Sequence, residues 1–164
     1  MKILMENIVE ALQEHLEQDQ ISTNQTIREL HGKDESYHSI SLPDIVVFPK
    51  NSADVSNIMK TANKLGVPVI PFGRGTSLEG HVIPYDNGIT IDFSLMDKIL
   101  EIREQDLLVI VQPGVTRTQL NMELKKYGLF FSVDPGADAT LGGMAATNAS
   151  GTTTVKYGVM RDQV

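Results

Sequence analysis

Apolar residues recur four apart at Leu4, Ile8, Leu12 and Leu16, with Val9 and Ala11 beside them. That stripe predicts a helix with one buried face. The stretch from Asp19 to Ser41 is polar, mixed in charge and weakly periodic, and reads as an irregular connection with a short helical turn. Residues 1–42 are therefore expected to form a helical segment ahead of a main domain at 43–164. Ile45-Val46-Val47-Phe48 is a β-branched run, and Pro49 to Ser52 breaks it and supplies an N-cap. Val55, Ile58, Met59, Ala62 and Leu65 then line one helical face that Gly66 closes. Val67-Pro68-Val69-Ile70 follows as a second strand, so the unit predicts βαβ with a parallel pair. Gly88 to Asp92, Ile99 to Arg103 and Leu107 to Gln112 are short, alternating and separated by turns, which predicts antiparallel pairing. Thr116 or Thr118 can cap a helix that carries Leu120 and Leu124 and ends at Gly128. The class expected is α+β, with a small βαβ subdomain and a mixed, mostly antiparallel second one.

Two glycine-rich stretches interrupt this pattern. The first, Pro71-Phe72-Gly73-Arg74-Gly75-Thr76-Ser77-Leu78-Glu79-Gly80, directly follows the second strand. The second opens on Asp134-Pro135-Gly136 and runs through Thr140, Gly142, Gly143, Thr147, Asn148 and Ser150 to Gly151. Glycine lets consecutive backbone N–H groups turn toward an anion. Two such loops in one chain point to one long anionic ligand gripped at two places, and a dinucleotide fits that description. The first loop is not a Rossmann fingerprint, which needs glycine where Leu78 stands, nor a Walker A loop, which needs lysine where His81 stands. What remains is an anion nest of N–H groups with the hydroxyls of Thr76 and Ser77, or, taken alone, an ordinary turn. In the second stretch Thr140 sits where it caps a helix from Leu141, and Gly142 and Gly143 would leave open N–H groups to a phosphate. The other reading of those small residues is close helix packing.

Composition narrows the class. A hydrophobic share of 41% and a charged share of 21% describe an ordinary globular chain, and a net charge of −7 argues against a nucleic-acid partner. With no cysteine there is no disulfide framework and no thiol nucleophile. No apolar run reaches the length of a membrane span, and the N-terminus lacks a secretory pattern, so a cytoplasmic location is expected. No spacing of His, Asp and Glu suggests a metal site, and no catalytic residue is assigned.

Taken together, these motifs resemble the FAD-dependent oxidoreductases of the vanillyl-alcohol oxidase type. Within them the chain is most similar to the branch of D-lactate dehydrogenases and the glycolate oxidase catalytic subunit. The likeness runs from Pro43 to Val164 through the Pro71–Gly80 loop and the Val111-Gln112-Pro113-Gly114 step. It continues through the Asp134–Gly151 stretch to a tail at Lys156 to Asp162. The resemblance implies that Pro71, Gly73, Arg74, Gly75, Thr76, Ser77 and Leu78 wrap the FAD pyrophosphate. It also implies that Pro135, Gly136, Thr140, Gly142, Gly143, Thr147, Asn148 and Gly151 line the cofactor. Covalent attachment in such enzymes uses a histidine inside the first loop. None is present here, so FAD is expected to be non-covalent, with His81 facing solvent or hydrogen-bonded.

The resemblance further implies a longer parent, in which a substrate cap follows an FAD-binding domain that is incomplete at Val164. The parent reaction would be oxidation of a 2-hydroxy acid to the 2-oxo acid. The alternatives are another alcohol as substrate, or a non-catalytic FAD-binding or subunit-interaction module. An unfinished sheet edge is expected to pair with a second copy.

Overall fold

The computed structural model describes residues 2–164, with side chains from residue 6 onward, so the side chain of Leu4 lies outside the described residues. The chain divides into two compact units, Met1–Leu95 and Met96–Val164.

In the first unit the helical stripe does what its spacing requires. Ile8 and Leu12 of helix α1 (Lys2–Gln13), with Leu16 just beyond it, are buried together with Ile58 and Ala62 of helix α3 (Ser52–Leu65). Asn51 caps α3 by accepting from the N–H groups of Ala53 and Asp54 at 2.9 and 3.0 Å, and Gly66 ends it in the left-handed region. Both helices cover one face of a four-stranded sheet ordered β1–β2–β4–β3. Its strands are β1 (Ile21–Ser22), β2 (Ile45–Val47), β3 (Val69–Phe72) and β4 (Ile89–Asp92). Only β1 is antiparallel, to β2; β4 lies parallel to both β2 and β3.

Two expectations are corrected here. The strands joined through α3 are not neighbours, because β4 is inserted between them. Gly88 to Asp92, expected to pair antiparallel, forms this central parallel strand. All four residues of β4 are buried, as a strand covered on both faces must be. Its alternation misled because the polar positions are buried too: Asp92 is paired inside the unit with His31. The stretch read as an irregular connection with a short helical turn does hold a short helix, α2 (Gln25–Leu30), but it also supplies β1, so the N-terminal segment contributes an edge strand that was not expected. Asn24 caps α2, and the helix ends at His31.

The second unit pairs β5 (Ile99–Arg103) with β6 (Leu108–Val111) in the antiparallel sense expected of them. Thr116 caps helix α4 (Arg117–Leu124) by accepting from Gln119 N–H at 3.1 Å, while the N–H of Thr118 donates to Asp138 Oδ1. Val115, Leu120, Leu124, Val133, Leu141, Met144 and Met160 form the core. Two short helices, α5 (Leu141–Ala146) and α6 (Thr154–Tyr157), complete the unit.

Candidate functional site

The first glycine loop begins where β3 ends. Phe72 is buried, and its ring lies beneath Gly75: a Cβ there would come within 2.8 Å of Phe72 Cζ. Gly75 also has φ +65°, so both the backbone and the ring below demand glycine. Beyond this point the chain is half-buried at Thr76 and Ser77 and exposed at Arg74, Leu78 and Glu79. Among the described residues, none of the N–H groups from Arg74 to Glu79 donates to a protein acceptor, and the Thr76 hydroxyl has no partner. Six consecutive peptide donors on an accessible turn form a surface suited to an oxyanion. The Ser77 hydroxyl differs, because it donates to Asp34 Oδ2 at 3.2 Å. The same oxygen accepts from Gly80 N–H at 2.9 Å, and Glu35 N–H donates to Ser77 O at 3.2 Å.

Behind the loop lies a buried charge pair. His31 Nε2 donates to Asp92 Oδ2 at 2.7 Å, and His31 Nδ1 donates to Ile27 O at 2.8 Å. An ionised carboxylate and a carbonyl both accept, so this geometry favours a proton on each ring nitrogen and a cationic imidazole. Burial alone would push the His31 pKa down, but the bonds to Asp92 and Ile27 and the charge of Asp92 outweigh it and raise the pKa. Burial likewise works to raise the Asp92 carboxyl, and the bonds from His31 and Ser94 hold it below its ordinary value. The His31 ring sits 4.6 Å from that of Phe72, the side chain that supports Gly75.

The second glycine stretch has different geometry. Thr140 caps α5 as expected, with its Oγ1 accepting from Gly143 N–H at 3.2 Å. The neighbouring donors, expected to be open, are engaged: Leu141 N–H donates to Val115 O at 2.8 Å and Gly142 N–H to Pro113 O at 2.9 Å. The glycines here answer to packing. A Cβ on Gly142 would stand 2.6 Å from Pro113 Cβ, and one on Gly151 1.7 Å from Asp134 O. Asn148 takes φ 48° after α5, and its Oδ1 accepts from Arg161 N–H. Thr147 Oγ1 donates back to Gly143 O at 2.9 Å. Pro135 is half-buried and Gly136 exposed, with the Gly136 N–H donating to Asp134 Oδ1. Gly143, Ala145, Ala146, Thr147 and Asn148 leave a thin, exposed face.

The structure brings Gly73 to Leu78 together in one unit and Pro135 to Gly151 in the other. His81 is exposed, as expected. No group of three metal-ligating side chains occurs among the described residues. Sequence reasoning missed Asp34, His31 and Asp92. The loop partners of Asp34 lie 43 and 46 residues away, so no local spacing marks its tie to the loop; the only signal was an acidic residue in a stretch without periodicity.

A strand that runs into an open nest of peptide donors, in an α+β chain, has the geometry of a site for a phosphate-bearing ligand. Residues 43–164 match the FAD binding domain family, and the chain belongs to it. A Danio rerio protein named "Probable D-lactate dehydrogenase, mitochondrial" is 44% identical over 98% of this chain and 32% of its own length. The mitochondrial D-lactate dehydrogenase [cytochrome] of Arabidopsis thaliana is 44% identical over 90% of the chain and 26% of its own. A glycolate oxidase subunit of Bacillus subtilis is 38% identical over 76% of the chain and 27% of its own length. The chain thus spans about a third or less of these relatives. Among solved structures, alkyldihydroxyacetonephosphate synthase is similar with TM-score 0.86 and 26% identity, over 95% of this chain and 32% of that one. p-Cresol methylhydroxylase shares the fold at TM-score 0.77 and 19% identity, over 91% of this chain and 30% of that one. The fold is the α+β one of vanillyl-alcohol-oxidase-type FAD-binding proteins, and FAD is the cofactor of the family.

Proposed function

We propose that the Gly73–Leu78 loop holds the pyrophosphate of FAD, and that the intact protein oxidises a 2-hydroxy acid of the D-lactate or glycolate type to the 2-oxo acid. The observation that carries the cofactor reading is the row of unpaired N–H groups from Arg74 to Glu79 on a turn fixed from below by Phe72. The backbone of Gly73 to Leu78 and the Thr76 hydroxyl donate to phosphate oxygens, and the exposed Arg74 adds positive charge. Pro71 lies within β3, one residue before its end at Phe72, and leads into the turn. Pro135, Gly136, Thr140, Gly142, Gly143, Thr147, Asn148 and Gly151 serve differently. Their polar groups hold the second unit together, and their small side chains leave a face that a flat ligand can approach.

When bound, FAD supplies the hydride acceptor for oxidation of the alcohol carbon. Residues 1–164 bind and orient it, and no residue among them is assigned to proton transfer. The substrate class rests on the names of the relatives from Danio rerio, Arabidopsis thaliana and Bacillus subtilis. Binding is non-covalent on this reading, since no histidine lies between Pro71 and Gly80. Pairing of two copies through an open sheet edge is a separate proposal. Light scattering of the intact protein tests it, with a dimer mass in support and a monomer mass against.

The test of the main proposal is titration of FAD into the intact protein and a Gly75→Val variant, read by flavin fluorescence. Saturable binding by the wild type and its loss in the variant are expected; equal binding by both would refute the loop assignment. Anaerobic bleaching of bound flavin by D-lactate or glycolate then tests the substrate class, and no bleaching by either would refute it.

A further inference from the structure

Among the described residues, Asp34 is the one side chain that bonds the cofactor loop from a segment outside it at two positions at once. Its Oδ1 accepts from Ser36 N–H at 2.9 Å, which orients the carboxylate. Its Oδ2 takes the Ser77 hydroxyl at 3.2 Å and the Gly80 N–H at 2.9 Å. The next residue, Glu35, donates its N–H to Ser77 O, so Ser77 is held through hydroxyl and carbonyl by two successive residues. With Phe72 under Gly75, the turn is fixed at both ends while its outward N–H groups stay unpaired.

A carboxylate repels phosphate and cannot ligate it, so Asp34 can serve the anion only through the donors it holds in place. Burial pushes its carboxyl up, but the hydrogen bonds from Ser36, Gly80 and Ser77 prevail and keep it below its ordinary value. It is therefore an ionised acceptor at neutral pH. The Ser77 hydroxyl proton points at this carboxylate and is withheld from any phosphate in this geometry.

We infer that Asp34 is a positioning residue for FAD binding: by fastening Ser77 and Gly80 to residues 34–36 it sets the row of peptide donors before the cofactor arrives. This rests on the reading of that loop as the pyrophosphate cradle. A loop already ordered binds more tightly because less conformational entropy is lost on association. Ser77 then acts in the same latch as Asp34 and not as an independent phosphate ligand.

The test is a double-mutant cycle on FAD affinity in the intact protein, with Asp34→Ala, Ser77→Ala and both changes. Each single change is expected to weaken FAD about tenfold, the scale of one charge-assisted hydrogen bond. The double change should weaken it little further, because the bond is shared. Effects that multiply to about a hundredfold would assign Ser77 its own contact with FAD and overturn the latch, as would unchanged affinity in Asp34→Ala. Amide hydrogen exchange without FAD provides a second readout. Gly80 N–H should exchange faster in Asp34→Ala, and unchanged protection would overturn the proposal. Asp34→Asn keeps an acceptor oxygen and should recover part of the affinity; it carries the same cycle should Asp34→Ala not fold. Failure of the cofactor reading looks different: Gly75→Val would bind FAD normally while Gly80 exchange still responded to Asp34.

Discussion

The two glycine-rich stretches share composition and differ in what their glycines do. In the first, Gly75 turns the chain through φ +65° over Phe72, and among the described residues the N–H groups of residues 74 to 79 meet no protein acceptor. In the second, the N–H groups of Leu141, Gly142 and Gly143 are taken up by Val115, Pro113 and Thr140. Gly142 and Gly151 are there because Pro113 and Asp134 leave no room for a Cβ. One stretch uses glycine to display backbone donors and the other to let two backbone segments touch. Composition alone cannot separate these uses, because the acceptors that distinguish them lie elsewhere in the chain.

The contrast is broken most strongly by adding one methyl group to the second stretch. Gly151→Ala places a Cβ 1.7 Å from Asp134 O, a backbone atom that cannot swing aside. A loss of about 3 kcal/mol in the stability of the second unit is expected, read by denaturant unfolding. Gly142→Ala meets Pro113 at 2.6 Å and should cost about 2 kcal/mol by the same measurement. If either change weakened FAD without lowering stability, those glycines would be cofactor contacts and the contrast would fail. Gly75→Ala should reverse the pattern. The strained left-handed backbone costs about 1 kcal/mol, while FAD affinity should fall about tenfold in a titration.

A smaller effect sharpens the account of the first unit through pH. The His31 pKa is raised above 6.5, so the stability it contributes is fully present below 6.5 and is lost as pH rises through the folded value. The Asp92 pKa is held below 3.8, so its contribution is present above 3.8 and is lost as pH falls through the folded value. Thermal melting of the first unit should therefore be most favourable between these limits, and His31→Gln should remove the fall on the alkaline side. A wild-type profile flat from pH 6 to 9 would contradict a buried imidazolium. The mildest test is acid precipitation of the flavin-loaded protein: flavin left in the supernatant agrees with non-covalent binding, and flavin in the pellet contradicts it.

Much of this architecture was legible in the residues. Helix α3 shows its apolar period, its Asn51 cap and its Gly66 stop in one continuous segment, and β5 and β6 show alternation and a short turn. Thr140 and Thr116 announced their helices because a cap is a local interaction. The insertion of β4 between β2 and β3 was not legible, since strand order depends on which surfaces a strand can cover and not on its own pattern. β1 is two residues long and carries no period at all. At the site, the Gly73–Leu78 turn was visible as a motif, but the engagement of the second stretch depends on the carbonyls of Pro113 and Val115. The latch at Asp34 was invisible for the same reason: its meaning lies in Ser77 and Gly80.

Residue-resolved amide exchange of the intact protein, with and without FAD, reads both stretches in one experiment. The amides of Arg74 to Glu79 should exchange readily without FAD and become protected when it binds, while those of Leu141, Gly142 and Gly143 should be protected in both states. Amides at 141–143 that are open without FAD and closed by it, beside unchanged exchange at 74–79, would contradict the assignment of the cradle to the first stretch.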